Sequence, residues 1–338
     1  MCGKGVDQIL RAAQRWAVLT PELNERHLMG NDGRIEIAQA FFTDKMDFDV
    51  WGALARPVLP VVQVKEVEKH DDPPAPRSLG ALNILSTELV EMVVDAVSDL
   101  GESDLVALGL TCQGLWELVV HRVQKSYYKK AAPWTGKKIA LQGSWSTSLP
   151  DSFNEDSFAQ KIVDDYEYRI NKHVSRSLFI FMEAEGTAPR SPKTREAALM
   201  NGMDEHLPQS RVPRRKWKEM WEQLKCPVLF PLDRDWVLRN LTTKEYVSAS
   251  FTVGVIRVTK LRLVDALLLK IGWTDMPSWS DENIDISQGD WAGHCFDIVT
   301  KDVLASEEGF EAWKDVTHDV ALKAGKLRGD HQRHADRW

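Results

Sequence analysis

LNILSTELVEMVVDAVSDLGESDLVALGLTCQGLWELVVHRVQKSYY, residues 82–128, holds three apolar-periodic segments placed end to end, with no catalytic pair among them. In the first, Leu89, Met92, Val93, Ala96, Val97 and Leu100 recur at spacings of three and four. That spacing is one face of an α-helix. Ser86 or Thr87 can cap its start, and Gly101 ends it. Ser103 and Asp104 open a second segment, with Leu105, Leu108 and Cys112 on one side. Gly114 breaks it, and Leu115, Trp116, Val119 and Val123 make a third stripe. Helices this short cannot bury all their apolar faces on one another. Part of that surface is expected to meet another domain or another protein.

The chain of 338 residues has room for two domains, and 43% hydrophobic against 28% charged residues is the composition of a globular core. A net charge of -7 argues against general nucleic-acid binding. Cys2, Cys112, Cys226 and Cys295 are scattered without C-x-x-C spacing, which fits a reducing compartment, the cytoplasm or nucleus. No apolar run reaches the ~20 residues that span a bilayer, so no membrane partner is expected. Val6 to Ala17 is amphipathic, but Asp7, Glu22 and Glu25 count against a targeting presequence. Thirteen tryptophans, most after residue 110, point to a C-terminal core built on aromatic anchors.

Working outward, residues 1–66 read as a helical N-terminal region, and 67–79 as a Pro-rich linker around KHDDPPAPR, residues 69–77. Residues 80–128 form the three-helix module. Residues 129–322 read as a Trp-rich mixed α/β domain, and 323–338 as a basic tail. Within the mixed domain, Lys137 to Leu141 is a short strand. Residues 183–216 read as a long loop with a short helix inside it, followed by a helical turn or two at Trp217, Met220, Trp221 and Leu224. Trp236 to Val247 reads as two strands around a Thr-Thr-Lys turn. Val264 to Leu269 is helical, Asp297 to Thr300 extended, and Ala312 to Lys326 a final helix. The fold class is therefore α+β.

Catalytic and metal-binding signals are weak, so no catalytic residue, metal or cofactor is expected. Asp281-x-Asn283-x-Asp285 begins like a calcium loop, but Ile286 stands where Gly makes the turn and Ala292 where a bidentate Glu belongs. His294 and Cys295 are adjacent, so in a strand they face opposite sides and cannot converge as base and nucleophile. Gly289 to Gly293 reads as a tight turn with Trp291 packed inward. His331 and His334 could share a helix face. Arg214-Arg215-Lys216 with Lys218 is a basic cluster, either a nuclear-import signal or a solvated helix start.

The order Leu82-x-x-Leu85-x-x-Glu88-Leu89, an aliphatic helix, then Asp104-Leu105-x-x-Leu108-x-x-Thr111-Cys112-x-x-Leu115-Trp116 resembles the F-box. The family's proline after the second leucine is replaced here by Ser86. Three further stretches, Pro133-Trp134-x-Gly136, Trp236 to Val247 and Gly289 to Asp297, make the chain similar to fungal F-box-type proteins, a family without an assigned activity. The resemblance implies an adaptor, not an enzyme. Its F-box would dock on the linker subunit of a cullin–RING ubiquitin ligase through Leu82, Leu85, Leu89, Leu105, Leu108, Leu115 and Trp116, and the C-terminal domain would hold a target protein. Two alternatives stay open: a scaffold with a degenerate F-box that never meets the ligase, and an enzyme with an unrecognised site in 133–320.

Overall fold

The computed structural model describes residues 14–30, 48–58, 79–154, 192–249, 261–275 and 287–335, with isolated positions at 159, 161, 164, 178 and 179. The Pro-rich segment 69–77, the Asp281–Asp285 pattern and residues 6–13 lie outside them. The α-helices among these residues are α1 (Val50–Leu54), α2 (Thr87–Leu100), α3 (Glu102–Gly109), α4 (Gln113–Lys129), α5 (Asp151–Asn154), α6 (Pro192–His206), α7 (Arg214–Leu224), α8 (Leu263–Ile271), α9 (Lys301–Ser306) and α10 (Thr317–Ala335). The strands are β1 (Trp16–Thr20), β2 (Glu25–Leu28), β3 (Lys138–Gly143), β4 (Trp236–Asn240), β5 (Glu245–Ser248), β6 (Gly272–Trp273), β7 (His294–Thr300) and β8 (Lys314–Asp315). The α+β class is thus observed. Contacts divide the chain into two units, one of residues 1–56, 132–189 and 232–338, the other of 57–131 and 190–231.

The first unit is built on a mixed sheet of order β2-β1-β3-β7-β4-β5-β8, with β6 beside β3. Neighbours are antiparallel except β5–β8 and β3–β6. A helical N-terminal region was the expectation, and here the structure corrects it. Trp16–Thr20 and Glu25–Leu28 form a β-hairpin, closed by a short 3-10 turn at Pro21–Leu23 with Asn24 left-handed at φ 50°. WAVLT is too short an apolar run for its period to separate helix from strand. Pairing with β3 decides it, in the register Ala17↔Gln142 and Val18↔Leu141. All five residues of β1 are buried, as in a strand covered on both faces.

The β4–β5 hairpin matches its sequence reading. Asn240 turns the chain by accepting from the Thr242 and Thr243 backbone N–H groups at 3.0 and 3.3 Å. Gly289 to Gly293 makes the expected tight turn. A Cβ at Gly289 would lie 2.0 Å from the Lys270 carbonyl oxygen, and Gly293 sits at φ +77°. Both positions therefore need glycine. Trp291 is fully buried and donates its indole N–H to Glu245 Oε2 at 2.7 Å, while the Lys270 ammonium lies 4.9 Å from its ring centre. Trp134 and Trp236 are also buried, so tryptophans do anchor this core. The final helix starts later than its sequence reading, at Thr317, and runs through most of the expected basic tail to Ala335.

One ion cluster is internal to this unit. Arg239 and Asp297 are paired across β4 and β7 and joined by two hydrogen bonds of 2.8 Å. Arg56 Nε adds a third contact to Asp297 at 2.7 Å, Glu307 reaches Arg239 at 2.6 Å, and Trp313 stacks 5.0 Å from the guanidinium. Burial alone would lower the Arg239 pKa, but the bonds and charges of Asp297 and Glu307 outweigh it and hold it above the ordinary arginine value. All the charges here satisfy one another, which is the pattern of a structural cluster.

The second unit is helical. The three-helix stretch predicted from periodicity forms as α2, α3 and α4. Gly101 separates the first two, as expected. The second break falls at Leu110–Cys112, with Gly114 already inside α4. Helices α6 and α7 return to cover α3 and α4, so the unit is discontinuous in sequence. Within 183–216, read as a long loop with a short helix inside it, residues 183–191 lie outside the described residues and the helix is α6, 15 residues long. Its apolar stripe is thin, Leu199, Met203 and Leu207 at spacings of four, but all three are buried in the core with Leu105, Val106, Val119 and Val123. Gly202 lets the two backbones close up, since a Cβ there would lie 2.9 Å from Ser103 Cα.

Candidate docking surface

Helix α2 is apolar on two sides. Val90 and Val94 are buried and Val97 half-buried, spaced four and three, and this stripe packs inward. Leu89, Met92, Ala96 and Leu100, about 100° round the helix, face solvent. Their exposures are 47% for Leu89, 65% for Met92 and 76% for Leu100, and Ile84 just before the helix is 89% exposed. Large side chains this exposed, aligned on one helix face, are what an interaction site presents. Val93 lies between the two faces and is half-buried.

The chain enters α2 through a 3-10 turn over Gly80–Ile84. Leu82 N–H donates to the Leu79 carbonyl at 3.2 Å, and Leu85 N–H to the Leu82 carbonyl at 3.0 Å. Residues three apart eclipse in such a turn, which puts half-buried Leu82 and Leu85 on one side. Beyond that turn Leu89, Met92, Ala96 and Leu100 continue as one helical row. Ser86 occupies the N-cap with φ −67°, ψ 158°. Its side chain makes no cap hydrogen bond to the backbone. It bonds the Glu88 carboxylate instead, which holds Glu88 below the usual carboxylate range. The φ of Ser86 is the value proline enforces, so the backbone at this position would admit a proline.

The seven residues expected at the interface separate into two groups. Leu82, Leu85 and Leu89 lie along the entry turn and outer face of α2. Leu105, Leu115 and Trp116 are buried within the second unit, and Leu108 packs against its core. The Trp116 indole N–H donates to Gln223 Oε1 on α7 at 2.7 Å. Tyr127, on the same helix, donates to the Leu224 carbonyl at 2.9 Å, and burial pushes its pKa well above the usual tyrosine range. Leu105, Leu115 and Trp116 therefore hold the unit together and offer no surface to a partner. Ile84, Met92 and Leu100 are surface residues absent from the expected set. Met92 and Leu100 share the helical spacing of Leu89 in the sequence, whereas Ile84 precedes the helix and carries no such signal.

Other candidate sites carry less. His294 Nδ1 lies 2.9 Å from Asn240 Nδ2, and burial lowers its pKa against the opposing charges of Asp290 and Glu245. Burial, with Glu22 nearby, raises the Cys295 thiol, only partly offset by a bond to Thr242 and by Lys138 and Lys137. The two side chains meet different neighbours, as alternation along β7 requires, and a thiol held protonated is a poor nucleophile. Among the described residues, no group of three or more His, Cys, Asp or Glu is placed to hold a metal ion, and no helix is long and apolar enough to cross a membrane. The chain matches no protein-family model, no curated protein and no solved structure.

Proposed function

We propose that this protein is an F-box-type adaptor, in which the entry turn and outer face of α2 dock on the linker subunit of a cullin–RING ubiquitin ligase. Leu82, Leu85 and Leu89 act with Ile84, Met92 and Leu100 as the apolar anchors. The observation that carries the reading is the solvent-facing row on α2, continuous with a leucine pair in a proline-compatible turn. Apolar anchors on a helical surface are the physics of such docking. The first unit then holds a target protein, in the cytoplasm or nucleus. Ubiquitin transfer is promoted by proximity, with a separate enzyme doing the chemistry.

One observation favours a second reading, a scaffold that never meets the ligase. Leu105, Leu115 and Trp116 belong to the F-box-like pattern, yet they are committed to the unit's own core under α6 and α7. Co-expression with the linker subunit followed by size exclusion separates the two. The adaptor reading predicts a stoichiometric complex that Leu89→Asp with Met92→Asp abolishes without unfolding the protein. Absence of a complex from folded wild-type protein rejects it and leaves the scaffold.

A further inference from the structure

We propose that the start of α7 is a second docking surface, for an acidic segment of a partner protein. Arg211, Arg214, Arg215, Lys216 and Lys218 fall within eight residues, and all are exposed. Among the described residues none of them forms an ion pair. Glu219 is the next acid along the helix and is not paired with them, and Glu222 is engaged by Lys225 at 2.6 Å. Cations opening a helix work against its macrodipole. Here nothing compensates: the first turn has no acid, and Pro213 at the N-cap provides no side-chain cap. A local rule broken this consistently marks a surface kept for something other than stability.

The geometry selects the partner. Arg214, Arg215 and Lys218 lie within one arc of ~100°, and Arg214 and Lys218 are separated by ~6 Å along the axis. Alternate residues of an extended peptide are ~6.6 Å apart on one side. Two carboxylates at such positions can therefore meet both cations at once. Arg214 is already steadied on the Trp217 ring, 5.7 Å from its centre, and the Trp217 indole N–H is bonded to the Val212 carbonyl at 3.0 Å. That ring is committed to the helix start and is no stacking platform for bases. The patch is also short against a nucleic-acid footprint, where binding draws on ~6–10 phosphate contacts. The remainder of a chain with net charge -7 repels a long polyanion.

The test is fluorescence anisotropy on the full chain. The probes are a labelled Glu-rich peptide, its Gln counterpart, and a single-stranded oligonucleotide of the same charge. The Glu peptide should bind, weaken as salt rises, and lose about tenfold or more in affinity with Arg215→Glu plus Lys218→Glu. The Gln peptide should not bind. The variant should keep its far-ultraviolet circular dichroism and melt cooperatively, which separates lost docking from lost folding. At most a small loss of melting temperature is expected, because the acids introduced at 215 and 218 would face Glu219 and Glu222 one turn on. Absent binding, equal binding by the folded variant, or tighter binding of the oligonucleotide would overturn the proposal.

Discussion

Replacing Ser86 by proline should stabilise the protein. Proline is usually costly where it meets a wrong φ, crowds the residue before it, or removes a used N–H. None of these applies. Ser86 already sits at φ −67°. Leu85 before it is extended at φ −87°, ψ 149°, the region a following proline requires. The Ser86 N–H makes no backbone hydrogen bond among the described residues. What is lost is the surface bond from the Ser86 hydroxyl to Glu88, which lies fully in solvent. What is gained is reduced freedom in the unfolded chain, ~0.4–1 kcal/mol at a compatible site. For a cooperative unit of about a hundred residues that is a rise of ~2–6 °C. Val90→Pro is the contrast. Its N–H donates to the Ser86 carbonyl at 3.1 Å from inside α2, so that change should cost ~3 kcal/mol or more. Urea and thermal unfolding followed by far-ultraviolet circular dichroism read both. A Ser86→Pro variant less stable by ~1 kcal/mol or more would show that this turn does not have the proline shape. The proposal that residues 82–89 act as an F-box-type entry would then lose one of its arguments.

The two faces of α2 should respond oppositely. Val94→Ala removes buried methyls and should cost ~2–3 kcal/mol, whereas Met92→Ser at the solvent face should shift stability by no more than ~0.5 kcal/mol in denaturant titration. Asp297→Asn strips the charge from a carboxylate bound by Arg239 and Arg56, and should cost ~3–5 kcal/mol, while Arg239→Met with Asp297→Leu should cost less than that single change. Gly202→Ala forces a methyl to 2.9 Å from Ser103 Cα, and should lower stability by ~1–3 kcal/mol, read by thermal melting. The lowered His294 pKa sets a pH dependence. The folded state holds the ring neutral, so its contribution is whole above the ordinary value of 6.5 and is lost as pH falls through the folded pKa. Wild type should therefore lose more melting temperature across that interval than His294→Gln.

What was legible in the sequence is what local chemistry dictates. Leu115, Trp116, Val119 and Val123 recur at helical spacing and are all buried on α4. The β4–β5 hairpin follows from Asn240 bonding its near neighbours, and the Gly289–Gly293 turn from its two glycines, although the Lys270 carbonyl that crowds Gly289 is distant in sequence. The N-terminal hairpin was not legible, because WAVLT takes its conformation from β3, more than a hundred residues away. The return of α6 and α7 was hidden for a similar reason. Three residues spaced by four make a weak helical signal, and their burial depends on Leu105 and Val106 being opposite. At α2 the period identified the helix but not which side faces in. Leu89, Met92 and Leu100 outrank Val90 and Val94 in apolar bulk, yet the smaller valines fit against α3 and α4. The inversion is what leaves the larger side chains in solvent, available to a partner.

The most direct test of the adaptor reading is the affinity of the purified linker subunit for the full chain, against a variant carrying Leu89→Ser, Met92→Ser and Leu100→Ser. Taking ~2 kcal/mol for each fully buried side chain, scaled by the fraction now exposed, the three changes together remove ~3–4 kcal/mol. That is a loss of several hundred-fold in Kd, about 1.4 kcal/mol per decade, from a variant that circular dichroism shows to be still folded. Equal affinity of wild type and variant, or no binding by either, would contradict the claim that α2 is where this protein docks.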